Sequence, residues 1–146
     1  MLIPHSLALL ESEDLLCVAD RENARVLCYN AGLQASEVMG QLMFDVQHSS
    51  LSKLYGIGHD GDVILALNGG SDSTVGVSLD LATEMAVDQW TPDNDTFHWA
   101  HDIDVKGKSF FVAQFGSQEK GNEPASKVIK FDIRQTQPWA DFNIHL

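Results

Sequence analysis

Apolar residues along this chain either alternate with polar ones or gather in short runs, and no window of a dozen residues holds a helical period of 3.6. The runs are bounded by turn-forming stretches such as ESED, HDGD and KGK. That pattern predicts short β-strands joined by tight turns, and an all-β protein. ATEMAVDQW is compatible with a short helix, but its place in the order of elements assigns it to an outer strand.

Three segments superpose: HSLALLESEDLLCVAD from His5, LYGIGHDGDVILALNG from Leu54 and HDIDVKGKSFFVAQFG from His101. Each reads as strand, turn, strand. Each is followed by a third strand (RVLCYN, TVGVSLDL, KVIKFDI) and then a weaker fourth run (EVMGQLMFDV, EMAVDQW, PWADFNIHL). Four strands in every 40–50 residues or so is the module of a β-propeller blade, which predicts three blades across residues 1–146, starting near 5, 54 and 101. Closed propellers use about four to eight blades, so three do not close a ring, and the chain reads as a piece of a longer polypeptide rather than one that pairs with its own copy. Residues 116–127, GSQEKGNEPASK, read as a polar surface insertion between strands.

In the first blade, LLCVAD and RVLCY flank a polar stretch, the pattern of a hairpin. A turn centred on Glu22 and Asn23 sets Cys17 opposite Cys28 and Asp20 opposite Arg25, so one register serves both pairs. Directly opposed strand residues are close enough for a disulfide. The alternative is two buried free thiols; the shared register favours the disulfide, which would imply an oxidising compartment.

Composition narrows the partners. A length of 146 residues suits one domain with an ordinary core, and no uncharged run approaches the length of a membrane helix. A net charge of −12, with no basic cluster to offset it, disfavours nucleic acid and anionic membrane surfaces. MLIPHSLALLESED lacks the basic start, apolar stretch and cleavage site of a signal peptide, so a secreted form would begin after its signal.

PHSLAL, LCVADREN, a second cysteine beyond R-x-L, ALNG and HDI together resemble the C-terminal half of peptidyl-α-hydroxyglycine α-amidating lyase, the second catalytic domain of peptidylglycine α-amidating monooxygenase. The resemblance runs from about residue 3 to about residue 133 and is specific, because a histidine pair, an arginine and a cysteine pair fall into register together. It implies a six-bladed propeller of NHL-like repeats that cleaves the hydroxyglycine end of a peptide into glyoxylate and a peptide amide. It further implies that His5 and His101 are two of three zinc-holding histidines, that Asp102 is a ligand of a structural calcium, and that Arg21 contacts substrate. Cys17 and Cys28 match a family disulfide that would clasp the hairpin presenting Arg21.

These roles agree with general chemistry. Catalytic Zn²⁺ takes three protein ligands and keeps one position open. His5 and His101 head equivalent strands two repeats apart, so in a ring both would face the axis. A Lewis-acidic zinc would lower the pKa of the substrate hydroxyl, and Arg21 could hold the glycine-derived carboxylate in a bidentate contact. Read alone, Arg21 is a surface hairpin residue paired with Glu22 or Asp20, each histidine is an ordinary structural or surface residue, and Asp102 could accept a ring N–H instead of binding calcium.

The sequence also departs from the family. The first zinc histidine, the tyrosine proposed as base, a second arginine and the other calcium ligands belong to upstream blades. His101 follows Ala100 where proline is usual, and Gln114 stands where aspartate is usual. His48, His59, His98 and His145 offer no evident third zinc ligand. Two functions from different classes follow: a fragment of a zinc-dependent lyase acting on hydroxyglycine-extended peptides in the secretory pathway, or a non-catalytic NHL-type propeller module that binds protein or peptide. Asn94-Asp95-Thr96 fits the glycosylation acceptor pattern.

Overall fold

The computed structural model describes residues 1–92, 96–115 and 126–133. The first sheet contains β1 (Pro4–Leu10), β2 (Leu15–Asp20), β3 (Arg25–Asn30) and β4 (Leu42–Gln47), hydrogen-bonded in that order. In the second sheet, β5 (Leu54–Asp60) and β6 (Val63–Asn68) are followed, after a short β7 (Asp72–Thr74), by β8 (Gly76–Asp80) and β9 (Met85–Trp90). β7 leaves that sheet and pairs with β10 (Phe97–His98). The third sheet joins β11 (Ala100–Lys106), β12 (Ser109–Gln114) and β13 (Lys127–Asp132). All three are antiparallel meanders, and their first strands β1, β5 and β11 lie side by side, as the inner strands of successive propeller blades do.

The stretch read as one strand, TVGVSLDL, is divided: Thr74 belongs to β7 and the blade strand begins at Gly76. ATEMAVDQW supplies the outer strand β9, as its place in the repeat required. The terminal run PWADFNIHL lies outside the described residues, as do residues 116–125 of the polar insertion and His145.

Turn chemistry closes the hairpins. Two-residue turns carry Gly61 at φ 56° and Gly107 at φ 60°, the left-handed conformation glycine adopts without cost. In the first blade two short 3-10 turns, Glu11–Glu13 and Arg21–Asn23, end on left-handed Asp14 and Ala24 instead.

Two buried clusters fill the spaces between blades. Leu10, Cys17, Val26, Leu54, Ile64 and Leu79 pack between the first and second sheets. Leu65, Leu67, Trp90, Phe97, Phe110 and Phe131 pack between the second and third, with Phe110 and Phe131 stacked at 4.6 Å. β6 reads VILALN without alternation because it serves both: Ile64 and Ala66 face one cluster, Val63, Leu65 and Leu67 the other. Gly56 and Gly58 let β11 come close, since a β-carbon on Gly56 would lie 2.9 Å from the Ile103 side chain and one on Gly58 2.5 Å from that of Val105.

Candidate functional site

Each blade repeats one irregularity at the start of its inner strand. The pairing of β1 with β2 skips from Pro4 to Ser6, that of β5 with β6 from Leu54 to Gly56, and that of β11 with β12 from Ala100 to Asp102. The extra residues are His5, Tyr55 and His101. A bulge re-aims its side chain out of the ordinary alternation. The structural repeat therefore sets Tyr55, not Leu54, level with the two histidines.

A second device recurs beside each bulge. The residue two before the inner strand donates its backbone N–H to a polar side chain at the end of the second strand: Leu2 to Asp20, Ser52 to Asn68 and His98 to Gln114. All three acceptors are buried. One position further along, Arg21, Gly69 and Phe115 return backbone N–H groups to the carbonyls of Ile3, Lys53 and Trp99.

The three bulged side chains meet. The rings of His5 and His101 lie 5.3 Å apart edge to face, and Tyr55 lies 4.6 Å from His5 and 5.4 Å from His101. The Arg21 guanidinium sits 5.0 Å from the centre of the Tyr55 ring, within cation–π range. Phe115 flanks His101 at 5.4 Å. His5, Tyr55 and Arg21 are half-buried and His101 is exposed, so the cluster opens to solvent.

Hydrogen bonding fixes the chemistry of His5. Its Nδ1 is 2.6 Å from the Tyr55 carbonyl, which can only accept, so Nδ1 carries a proton and, in the neutral ring, Nε2 has the lone pair. Metal-binding histidines use this arrangement. Two imidazoles sharing a tetrahedral ion at about 2.0–2.1 Å per nitrogen have ring centres about 5 Å apart. The observed ring centres are 5.3 Å apart, with the planes inclined at 68°. The described residues include no group of three or more His, Cys, Asp or Glu able to hold a metal.

Arg21 donates to Glu22 at 2.9 Å through Nε, with Nη2 at 2.8 Å, and Lys53 reaches the other Glu22 oxygen at 3.4 Å. The Arg21 hydrogen bond, helped by Lys53 and opposed by burial, holds the Glu22 carboxyl below its ordinary pKa. Asp20 pairs with Arg25, the partner its register predicts, and Arg25 also binds Asp45 at 2.8 Å. Cys17 and Cys28 face one another across β2 and β3 and are joined by a disulfide, buried in the cluster between the first two blades.

Below the bulges, β1, β5 and β11 line a cleft of about 310 Å³ whose walls include Ser6, Gly58, Asp102 and Asp104. Asp102 is exposed there and accepts from the Ile103 N–H at 2.9 Å. Two other histidines are placed away from the cluster: His48 accepts from the Ser50 N–H in a loop, and His59 contacts the Gly61 carbonyl. Asn94 lies outside the described residues. Sequence reading missed Tyr55, whose available signal was the Tyr55-Gly56 pair next to a histidine-bearing strand in the neighbouring repeats.

An NHL repeat model matches residues 2–29, which take in β1, β2 and all but the last residue of β3. The chain is 33% identical over 129 residues to peptidyl-alpha-hydroxyglycine alpha-amidating lyase 2 of Drosophila melanogaster, covering 87% of this chain and 31% of that protein. It is 30% identical over 139 residues to peptidylglycine alpha-amidating monooxygenase of Rattus norvegicus, covering 91% of this chain and 13% of the relative. A probable amidating lyase of Caenorhabditis elegans is 54% identical over 35 residues, 24% of this chain and 10% of that protein. The chain thus spans about a third or less of these relatives. Among solved structures, hydrazine synthase of Kuenenia stuttgartiensis superposes with a TM-score of 0.61 at 15% identity, over 77% of this chain and 29% of that one, a likeness of fold.

Proposed function

Sequence relationship along most of its length places this chain among the homologues of peptidyl-alpha-hydroxyglycine alpha-amidating lyase, and on that premise we propose that it forms part of a peptidylamidoglycolate lyase site. The observation that carries the proposal is the convergence of His5 and His101 on one mouth with Arg21 beside them. The reaction is an elimination that needs no water and no redox partner. The C–N bond breaks, the α-hydroxyl proton leaves as the aldehyde of glyoxylate forms, and the departing nitrogen gains a proton to become the peptide amide.

In this reading the substrate's α-hydroxyl meets the histidine pair and its carboxylate meets Arg21. Zn²⁺ held there would supply a Lewis acid that lowers the hydroxyl pKa. His5 and His101 would provide two of its ligands through neutral imidazole nitrogens. Arg21 is already held by a carboxylate, that of Glu22, and a guanidinium ordered in this way exchanges partners at little entropic cost. Glu22 and the Tyr55 ring thus orient the arginine before substrate arrives. Asp102 would serve as one oxygen donor to a structural Ca²⁺, with its remaining ligands contributed by other sequence.

The buried disulfide supports an oxidising, secretory location, where Asn94 could carry glycan. In the relatives named as monooxygenases the matching region is one part of a larger protein, and a monooxygenase domain is the partner expected here. A second reading, a non-catalytic module that binds protein or peptide, is favoured by the lack of a third metal-ligating group among the described residues.

Glyoxylate release from a peptidyl-α-hydroxyglycine substrate, with and without Zn²⁺, separates the two. We expect turnover from a form extended by upstream blades, reduced at least about 100-fold by His101→Ala. Silence from both the extended form and this chain overturns the lyase reading, and peptide binding without turnover establishes the second.

A further inference from the structure

We infer that Tyr55 is a positioning residue, the third vertex that holds the two imidazoles and the arginine in their working arrangement. The inference rests on the lyase reading for its purpose but on geometry for its content. Tyr55 occupies the same bulge in the second blade that His5 and His101 occupy in the first and third. Among the described residues it is the one that touches both imidazoles and the arginine. Its backbone carbonyl fixes the His5 tautomer at 2.6 Å, its ring lies against both imidazoles, and its face receives the Arg21 guanidinium.

The ring is itself locked from behind. A β-carbon on Gly70 would lie 2.5–2.6 Å from the Tyr55 hydroxyl and adjoining ring atoms, and one on Gly69 would lie 2.9 Å from its Cβ. Two consecutive glycines therefore leave room for this ring to lie flat against the backbone. The hydroxyl is packed there, and the faces and edges of the ring are what the histidines and arginine meet. The role belongs to the aromatic ring, and the backbone carbonyl keeps its own part in any variant.

These contacts predict different results for two substitutions. Tyr55→Phe keeps the ring and should leave the site intact; Tyr55→Leu removes it while leaving the carbonyl acceptor for His5. The first readout needs no metal: nuclear Overhauser contacts between the His5 and His101 imidazole protons, with the ring nitrogen shifts reporting the His5 tautomer. We expect the contacts in the wild type and Tyr55→Phe, and their loss in Tyr55→Leu with the Nδ1–H tautomer retained. The second is Zn²⁺ affinity, expected within about twofold of wild type for Tyr55→Phe and weakened at least about tenfold for Tyr55→Leu, in the range for supporting residues of a metal site.

Unchanged imidazole contacts in a folded Tyr55→Leu variant overturn the inference. Should that variant not fold, the wild type decides: Tyr55 ring protons must show contacts to both imidazoles, and their absence overturns the inference equally. A wild type that shows these contacts but binds no Zn²⁺ counts against the metal in the lyase reading and leaves the positioning role standing.

Discussion

Asp20 shows how much one buried carboxylate carries in this fold. Burial alone would raise its pKa, but hydrogen bonds from Asn23, the Leu2 N–H and Arg25 outweigh it and hold the carboxyl below its ordinary value. A folded-state pKa depressed in this way contributes stability that is present above the unfolded pKa and lost as pH falls through the folded one. Stability should therefore fall as pH drops below about 4, and Asp20→Asn should flatten that part of the curve in denaturant titrations across pH. At neutral pH Asp20→Ala, which removes the acceptor of the Leu2 N–H and of Asn23 and leaves Arg25 with Asp45 alone, should cost about 2–4 kcal/mol. Glycine acts at the same scale by absence: Gly58→Ala forces a methyl into Val105 and should destabilise by about 1–3 kcal/mol in chemical unfolding.

At the scale of elements, the first hairpin is the best test of sequence reading. The Cys17–Cys28 link closes a separation of 11 residues, and replacing both cysteines by serine should lower stability by about 2–3 kcal/mol, measured by equilibrium unfolding with and without reductant. Its register was legible because two unlike pairs, cysteine with cysteine and Asp20 with Arg25, demanded the same alignment. The blade repeat was legible from turns and apolar runs, since both follow directly from local chemistry. The bulges were not. An extra residue in one strand leaves no mark in composition, and with Tyr55 replacing histidine the second repeat aligned one residue early, on Leu54. β7 escaped for a related reason, because its pairing with β10 is long-range and its residues merge into the strand that follows. Gln114 read as a departure from a usual aspartate, yet it accepts the same backbone N–H that Asp20 and Asn68 accept in their blades. What the fold requires there is an acceptor, and amide and carboxylate both supply one.

At the scale of the whole molecule, some apolar side chains of the outer blades belong to neither interblade cluster and stand exposed among the described residues. On β1, Leu7 is 63% and Leu9 41% exposed, while Val128 on β13 is 72% exposed. Exposed apolar neighbours on one strand, such as Leu7 and Leu9, favour association. Sedimentation of this chain should show concentration-dependent self-association that Leu7→Asn with Leu9→Asn reduces; a monomer at every concentration would contradict this. Among the described residues no helix is long and apolar enough to cross a membrane. The repeated bulge, pinned by backbone donors and a buried acceptor, has a consequence for how such a mouth could change its chemistry. The hydrogen bonds that flank each bulge do not involve the side chain displayed on that same bulge, so each blade offers an interchangeable socket. Imidazole, phenol or another group can be exchanged at the rim while the scaffold beneath keeps its shape.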